Sequence, residues 1–454
     1  MRLSHATLGR LPPDIARFAY DRAAQQIGIV HFGIGAFHRA HQAWYTDLCM
    51  DGGERDWAIC GVSLRSATVA EQVGPQDGLY TLTERGGESA TRLVGAVREV
   101  LVGGTDAPAI VARIAAPCCR IVSVTVTEKG YARAPDGALD PALAEASFYP
   151  LLTAALARRR AAGLPGLTLL SCDNLPDNGR TLARLLGEWL DARAPQLNGW
   201  VEAECAFPAT MVDRIVPATT ADDLAALEAR IGLRDEGAVF TEPFSQWVIE
   251  DRFAGPRPGW DRHGAQLVAD DAPYETAKLR MLNGAHSALA YLGLERGHAF
   301  VHQAIADPEL RAIAGNLMRR EAATSFAAAP GQDLSAYADD LVARFENPAL
   351  EHRLIQIAMD GSQKIPQRWL ETLAFHQRHG TSCPAILEAL AAWLRHVRGD
   401  RRPVDDPLAE PLAGLWAEAG TQGIAAALFG RHGLFAPSWQ ASEGALAQLT
   451  GKLA

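Results

Sequence analysis

The first 270 residues alternate short β-branched, apolar runs with segments that suit amphipathic helices. The apolar runs occupy residues 27–32, 57–64, 121–127 and 167–171. Helix-compatible stretches such as residues 151–162 and 180–194 follow the later runs. Strands of a parallel sheet are buried on both faces and are joined by crossover helices, so they appear in a sequence as continuous apolar runs between helices. The alternation therefore predicts a doubly wound α/β fold.

The strand signals fade after about residue 275, and Ala- and Leu-rich stretches with helical spacing replace them. These stretches cover residues 278–294, 310–328 and 383–397. Pro273 marks a boundary, because proline fits the first turn of a helix and ends the preceding element. We therefore predict an N-terminal Rossmann-type doubly wound domain over residues 1–271 and a mostly α-helical domain over residues 272–454.

Charge and cysteine content restrict the possible partners and chemistry. The 43 Lys and Arg residues against 53 Asp and Glu residues give a net charge of −10, and no basic block suits a nucleic acid. No signal-peptide core and no run of about 18 uncharged apolar residues occurs, so we expect a cytoplasmic protein without membrane contact. Seven cysteines show no C-x-x-C pair or zinc-ligand spacing, which predicts no metal. An enzyme of this kind that oxidised an alcohol would then need a side-chain base, rather than a metal ion, to take up the hydroxyl proton.

A glycine-rich turn follows the first apolar run and precedes a helix-compatible segment. Its Gly33-x-Gly35-x-x-His38 pattern departs from G-x-G-x-x-G at the third position, but the context favours backbone amides that approach a pyrophosphate. The second run ends without the acidic residue that binds the 2′-hydroxyl of the NAD ribose. Arg65 follows that run and either binds the 2′-phosphate of NADP or is an ordinary exposed arginine. NAD and NADP are therefore both possible cofactors. The predicted cofactor contacts are Gly33, Gly35, Ala36, Phe37, His38, Arg39, Arg65 and Glu128.

Residues 274–286 form the densest polar constellation of the chain. At ~100° per residue of an α-helix, His286 lies about 80° and Asn283 about 140° round from Lys278, with Glu275 about 60° away on the other side. A lysine beside an apolar core and a cationic nicotinamide favours its neutral form, which accepts an alcohol proton. Asn283 is then a donor to the alkoxide, His286 orients a hydroxyl and Glu275 relays protons. The alternative is a solvated helix face with a Glu–Lys pair.

Other polar groups leave further alternatives open. Tyr274-x-x-x-Lys278 matches the pair of short-chain dehydrogenases, but residues 261–273 contain no serine for that site. Asn174 and Asp213 stand at the ends of apolar runs, where open α/β sheets bind ligands. Asn174 is the candidate alkoxide donor there. Residues 360–368 form either a solvated loop or a clamp on substrate hydroxyls or a carboxylate.

Several motifs together resemble the mannitol dehydrogenase family of polyol-specific long-chain dehydrogenases. In order from about residue 28 to about residue 400 they are GIGAFHRAHQ, TVTEKGY, SCDN, TMVDRIVPAT, EPFSQWVIED, KLRMLNGAHS and AMDGSQKIPQR. The resemblance implies that residues 1–271 form an NAD-binding Rossmann-type domain and that residues 272–454 form a substrate and catalytic domain. It also implies metal-free hydride transfer with NAD to or from a small sugar acid or polyol. We expect a monomer or small homo-oligomer. In the family pattern, Lys278 is the general base, Asn174 and Asn283 stabilise the oxyanion, His286 positions substrate and Glu275 lies on the proton path. Asp213 and Lys364 match further active-site and substrate-binding positions.

One departure bears on the substrate. Mannitol 2-dehydrogenases of this family carry an arginine four residues before the Asp-Gly-Ser motif, where this chain has Gln356. Residues 352–368 resemble instead the fructuronate reductase branch, whose substrate carries a carboxylate that Arg353, Lys364 and Arg368 would bind. The expected activity is NAD-dependent reduction of D-fructuronate to D-mannonate. The alternatives are a mannitol 2-dehydrogenase or other polyol dehydrogenase, acting on D-mannitol, D-fructose or D-arabinitol, and a catalytically silent nucleotide-binding protein.

Overall fold

The computed structural model describes residues 1–134 and 136–453. The chain divides into two compact units, Met1–Asp271 and Ala272–Ala454. Within the described ranges, no helix is both long enough and apolar enough to cross a membrane.

The first unit contains eleven strands and ten α-helices among its described residues. The strands are β1 (Ile27–Phe32), β2 (Ala58–Ser63), β3 (Tyr80–Glu84), β4 (Ala90–Val94), β5 (Val97–Val102), β6 (Ile121–Val124), β7 (Thr168–Ser171), β8 (Thr210–Asp213), β9 (Val239–Thr241), β10 (Gln246–Glu250) and β11 (Gln266–Val268). The helices are α1 (Ala36–Ala40), α2 (Gln42–Asp51), α3 (Thr68–Val73), α4 (Ala107–Ala115), α5 (Thr127–Gly130), α6 (Pro141–Glu145), α7 (Tyr149–Ala161), α8 (Asn178–Arg193), α9 (Pro195–Glu204) and α10 (Ala221–Ile231). Short 3₁₀ segments cover His5–Arg10, Gly74–Gln76 and Trp260–His263.

A five-stranded sheet with the order β5-β2-β1-β6-β7 is the centre of this unit, and all its neighbouring strands are parallel. All six residues of β1 are buried, as expected for the middle strand of a sheet covered on both faces. The chain runs outward from β1 to β2 and β5 and then returns to β6 on the other side of β1. The direction of winding therefore reverses between β1 and β6, and the predicted Rossmann-type fold is confirmed. Two three-stranded sheets, β11-β10-β8 and β4-β3-β9, complete the unit.

The predicted strand over residues 121–127 is too long at its C-terminal end. Strand β6 ends at Val124, and Thr127 begins the short helix α5. The periodicity did not reveal this end, because Val126 and Thr127 continue the β-branched pattern of the strand. The backbone of Thr127 has φ +63°, which no extended strand can contain.

The second unit is helical, which confirms the predicted class. Its α-helices are α11 (Ala272–Ala277), α12 (Gly284–Glu295), α13 (Val301–Ala306), α14 (Pro308–Asn316), α15 (Leu334–Phe345), α16 (Leu354–Ile357), α17 (Gly361–Ile365), α18 (Glu371–Arg378), α19 (Pro384–Val397), α20 (Ala409–Phe429) and α21 (Glu443–Leu453). A 3₁₀ turn covers Pro348–Leu350. Three π-helical segments cover Lys278–Asn283, Leu317–Ala322 and Pro366–Leu370.

Helices α12 and α19 pack together at the centre of the helical core. Ten of the twelve residues of α12 are buried, so this helix is apolar all round rather than amphipathic. Helix α19 begins with Pro384 in its first turn, where a missing N–H costs nothing, and it buries Trp393 and Leu394 completely. Each such apolar side chain contributes about 1.5–3 kcal/mol through burial. The segment that precedes α12 is therefore attached to a helix that is buried almost throughout its length.

The predicted α-helix over residues 278–294 is interrupted, and that detail of the prediction is wrong. Helix α11 ends at Ala277, and Lys278–Asn283 is π-helical before α12 begins at Gly284. The Gly284 N–H donates to the Leu279 carbonyl, five residues back. The helical stretch predicted over residues 310–328 also ends early, at the π-helical segment that closes with Ala322. Hydrophobic spacing does not distinguish one wide turn from an α-helix.

Candidate active site

The glycine turn after β1 has the geometry that a dinucleotide requires. Gly33 has φ +94°, and its N–H donates to the Val62 carbonyl at 2.9 Å. A Cβ at Gly33 would lie 1.9 Å from the Thr125 carbonyl oxygen. A Cβ at Gly35, by contrast, would meet no atom closer than the Gly33 oxygen at 3.9 Å. Gly33 is therefore needed for the turn itself, whereas Gly35 leaves space in which a pyrophosphate can approach the backbone.

The turn lies where the winding of the sheet reverses. Thr125, just after β6, donates its N–H to Phe32 at 2.8 Å and its hydroxyl to the Gly33 carbonyl at 2.7 Å. The ends of β1 and β6 are thus fixed to each other. Open α/β sheets bind ligands beyond the carboxyl ends of the strands at this point, and the residues present fit an NAD-type dinucleotide.

At the third position of the motif, where a glycine would allow the helix to pack closely on the strand, the chain has His38, which belongs to a pair of stacked histidines. The His38 ring in α1 stacks on the His31 ring in β1 at 3.4 Å, and both are buried. His31 pairs through Nδ1 with Ser123 at 2.7 Å and through Nε2 with Thr125 at 2.8 Å. Burial lowers the pKa of His31 to about 3 and that of His38 well below its usual value. The two rings are neutral packing groups beneath the turn, and contact of His38 with the cofactor stays a prediction.

Two other residues of the predicted cofactor loop make internal contacts. Buried Arg39 donates to the Gly237 carbonyl at 2.5 Å and to the Gly35 carbonyl at 3.3 Å. Phe37 stacks on His41 at 5.0 Å. The structure gives Arg39 a packing role, and Arg39, Phe37 and the adjacent Ala36 stay untested as cofactor contacts.

The other predicted residues of the first unit lie at or just beyond strand ends. Arg65 is exposed after β2, and Glu128 is exposed in α5 after β6. Asn174 is exposed after β7, whereas Asp213 is buried as the last residue of β8. The Asn178 side chain links the segment after β7 to the start of β8, because its amide donates to the Asp173 carbonyl at 3.0 Å and the Thr210 carbonyl at 2.7 Å.

The π-helical segment changes the geometry expected for Lys278 and Asn283. An α-helix would separate them by about 140°, but a π-turn is wider, with hydrogen bonds from residue i to residue i+5. Asn283, five residues after Lys278, therefore leaves the helix in a direction closer to that of Lys278 than an α-helix would allow. Glu275 lies in α11, on the preceding turn. Isolated π-turns occur frequently at functional sites.

His286 lies in the first turn of α12 and is 8% exposed. Its ring is 4.6 Å from that of Phe345 and 5.2 Å from that of His352. Burial, and then the nearby His352, hold the pKa of His286 well below its usual range. The imidazole is neutral at physiological pH, so one ring nitrogen can donate and the other can accept a hydrogen bond.

Of the three predicted carboxylate-binding residues, Arg368 lies next to the π-helical segment Lys278–Asn283. Its guanidinium donates to the Ser287 hydroxyl at 2.7 Å and to the Asn283 carbonyl at 3.4 Å. Burial lowers the pKa of Arg368 to about 10. Both of its hydrogen-bond partners are uncharged, and no carboxylate pairs with it in the part of the chain that the structure describes.

Lys364 and Arg353 have different surroundings. The Lys364 ammonium donates to the Met359 carbonyl at 2.5 Å and lies 4.0 Å from an Asp360 carboxylate oxygen. Burial, and then the charge of Arg368, lower the pKa of Lys364. Arg353 is exposed at the start of α16, with its guanidinium 5.8 Å from the centre of the Phe300 ring. Lys364 and Arg368 therefore share one electrostatic environment.

Two profile matches cover almost the whole chain. The profile described as the mannitol dehydrogenase Rossmann domain matches residues 27–262, and that of the mannitol dehydrogenase C-terminal domain matches residues 270–452. The chain belongs to the mannitol dehydrogenase family. It is an oxidoreductase of that family, acting on CH–OH groups.

Named relatives in the mannitol dehydrogenase family align over most of their length. The D-mannonate oxidoreductase of Escherichia coli is 41% identical over 93% of this chain and 91% of its own. The mannitol 2-dehydrogenase of Phaeosphaeria nodorum is 38% identical over 91% of this chain and 77% of its own. The solved ternary complex of Pseudomonas fluorescens mannitol 2-dehydrogenase with NAD and D-mannitol superposes with a TM-score of 0.83, at 35% identity, over 100% of this chain and 96% of that one.

Asp406 fixes the Asp-Gly-Ser motif and was not predicted from the sequence. The Asp406 carboxylate accepts the Ser362 N–H at 2.7 Å and the Ser362 hydroxyl at 2.5 Å. It thereby holds the N-terminus of α17, the helix that carries Lys364. No local signal could have revealed this contact, because 44 residues separate the partners. For Ser287, which contacts Arg368, the only signal was its position next to His286.

Proposed function

We propose that the chain is an NAD-dependent oxidoreductase that reduces D-fructuronate to D-mannonate and catalyses the reverse oxidation. Residues 1–271 would bind the cofactor, and residues 272–454 would carry the base and the carboxylate-binding group. The observation that carries this proposal is Arg368, a desolvated cation beside Asn283 with only uncharged partners.

A uronate carries a carboxylate where the corresponding ketose carries a hydroxymethyl group, so its binding site needs a positive charge. A desolvated guanidinium without a counter-ion is costly, and a substrate carboxylate would offset that cost through two parallel hydrogen bonds. Lys364 adds a second positive charge nearby. Gln356, in place of the arginine of mannitol 2-dehydrogenases, and the 41% identity to a D-mannonate oxidoreductase point to the same substrate class.

The proposed chemistry follows from the residue types. When bound at the glycine turn, NADH would supply the hydride for the carbonyl carbon of the substrate. Lys278 donates a proton from Nζ to the carbonyl oxygen, and the side-chain amides of Asn174 and Asn283 donate hydrogen bonds to that oxygen as negative charge develops. In the oxidation direction, neutral Lys278 removes the hydroxyl proton, which Glu275 passes to solvent.

The remaining predicted residues would orient the substrate. Neutral His286 pairs with a hydroxyl adjacent to the reacting carbon, and Asp213 accepts a hydrogen bond from another. Arg353 is the least supported carboxylate contact, because its guanidinium is exposed and packs over Phe300. NAD is the cofactor, and exposed Arg65 is the residue that would allow NADP.

The test compares initial rates of cofactor oxidation with D-fructuronate and D-fructose, first with NADH and then with NADPH. We expect kcat/KM for D-fructuronate with NADH to exceed the value for D-fructose by at least about 100-fold, because a site with a desolvated cation discriminates against a neutral ligand. A preference for D-fructose would overturn the proposal in favour of a polyol dehydrogenase. NADH binding without turnover of any sugar acid or polyol would indicate a silent nucleotide-binding protein.

A further inference from the structure

The loop after β6 contains a residue in a conformation that its side chain disfavours. Thr127 has φ +63°, in the left-handed region. A β-branched residue is a genuine outlier there, because its branched Cβ crowds the backbone. Strained backbone persists only where surrounding contacts enforce it, and such residues cluster at functional sites.

The Asp173 carboxylate is the group that enforces this conformation. It accepts the N–H groups of Val126 and Thr127, each at 2.9 Å, and the Tyr131 hydroxyl at 3.0 Å. The Tyr131 hydroxyl also pairs with Ser171 at 2.5 Å. Hydrogen bonds to a charged acceptor are roughly twice as strong as neutral ones, so this acceptor can hold two amides against the steric preference of Thr127.

These contacts join parts of the molecule that belong to the predicted cofactor site. Asp173 follows β7 and directly precedes Asn174, whereas Thr127 follows β6 and directly precedes Glu128. Thr125, at the start of the same loop, bonds to the Gly33 carbonyl of the glycine turn. A change in the backbone conformation of Thr127 would therefore move the loop of residues 125–128. This loop is hydrogen-bonded to the glycine turn through Thr125 and to Asp173, the neighbour of Asn174, through Thr127.

We propose that Asp173 is a positioning residue for the cofactor: its carboxylate holds Thr127 in the left-handed conformation and thereby sets the loop of residues 125–128 in the form that binds NADH. The inference rests on the proposed use of NAD and is independent of the substrate. It extends the site to a residue that touches neither reactant.

The test measures the Kd of NADH by fluorescence titration for Asp173→Asn, Thr127→Gly and the double variant. Asparagine presents one carbonyl oxygen to two amides, so we expect the Kd to rise about tenfold, the equivalent of one charge-assisted hydrogen bond. Thr127→Gly alone should change the Kd less than about threefold and should not lower Tm, because glycine adopts positive φ without strain. The double variant should recover most of the affinity, since its loop no longer resists the required conformation.

Asp140→Asn is the matched control, because the Asp140 carboxylate also accepts two backbone N–H groups at a helix start in the same unit. It should leave the Kd of NADH unchanged. Unaltered affinity in Asp173→Asn, or additive losses in the double variant, would overturn the proposal. If Asp173→Asn does not fold, Thr127→Pro replaces it, since proline excludes positive φ; equal affinities of the Pro and Gly variants would then be the contradictory result. Failure of the wild-type chain to bind NADH would instead refute the cofactor assignment.

Discussion

The strand ends of the first unit and the π-helical segment Lys278–Asn283 of the second position polar groups by different means. At the strand ends, side chains hold loops in place: Thr125 binds the Gly33 carbonyl, and Asp173 binds the Thr127 amide. In the π-helical segment, the backbone itself is irregular, and a π-turn brings Asn283 towards the direction of Lys278. The strand-end loops are held by hydrogen bonds between residues that are distant in the sequence, whereas the helical segment relies on a local change in the number of residues per turn.

The difference follows from how each backbone satisfies its own hydrogen bonds. A loop beyond a strand has no ladder, so its amides need acceptors from elsewhere in the fold. A helix satisfies its backbone internally, so a change of repeat is the available way to redirect side chains. The segment Lys278–Asn283 also packs against both other π-helical segments. Substitutions at the strand ends should therefore affect cofactor binding and stability of the fold. Substitutions in the helical unit should affect the rate of the reaction or the choice of substrate.

The largest effect is expected for Lys278→Ala. Removing a general acid and base should lower kcat by about 10³-fold, whereas the Kd of NADH should stay within about twofold of wild type. Steady-state rates and fluorescence titration measure the two quantities. Lys452→Ala is the matched control, since Lys452 pairs with Glu388 and should be dispensable for catalysis. A kcat near the wild-type value at high pH would contradict the assignment and make Tyr274→Phe the next variant.

Gly33→Ala and Gly35→Ala should separate fold from cofactor binding at the strand ends. The alanine methyl at position 33 would overlap the Thr125 carbonyl and require positive φ, so we expect a loss of about 3 kcal/mol in the free energy of unfolding. The methyl at position 35 meets no protein atom closely, so Tm should hold while the Kd of NADH rises about tenfold. Urea denaturation and NADH titration test both. Equal loss of stability in the two variants would contradict the distinct roles of these glycines.

The contrast between the two regions also explains what the sequence could predict. Strand β1, the glycine turn and the helical second unit follow from local patterns, because apolar runs, turn residues and helical spacing are local properties. The π-turn at Lys278 was missed, since hydrophobic spacing does not distinguish one wide turn from an α-helix. The contact between Asp173 and Thr127 spans 46 residues and depends on adjacent strands β6 and β7. Only the fold shows that Asp173, and not only its neighbour Asn174, belongs to this region.

Arg368→Gln should alter specificity in the helical unit without altering cofactor binding. We expect kcat/KM for D-fructuronate to fall about 10–100-fold, because the carboxylate loses a desolvated, charged partner, whereas the value for D-fructose should change less than about threefold. Arg353→Gln should have a smaller effect on D-fructuronate, since that guanidinium is exposed. Half-buried Arg319→Gln is the control, because it removes an ion pair with Asp339 and a hydrogen bond to the Ser335 carbonyl but leaves Arg368 and its partners unchanged. Parallel losses for both substrates in Arg368→Gln would show that the residue acts on the fold of the segment rather than on the carboxylate.

The smallest effect concerns pH and the histidine beneath the glycine turn. His31 has a pKa of about 3 in the folded chain because it is buried, whereas an unfolded histidine titrates near ~6.5. Between these values the unfolded chain binds a proton that the folded chain does not, so stability falls as pH decreases, by up to about 1.4 kcal/mol per pH unit from this residue. Urea denaturation at several pH values from about 7 to about 5 should show a shallower dependence of the free energy of unfolding on pH for His31→Gln than for wild type. If His31→Gln left the pH dependence of the free energy of unfolding unchanged, the imidazole of His31 would be protonated in the folded chain. The hydrogen bond between His31 and Thr125 beneath the glycine turn would then involve a charged ring.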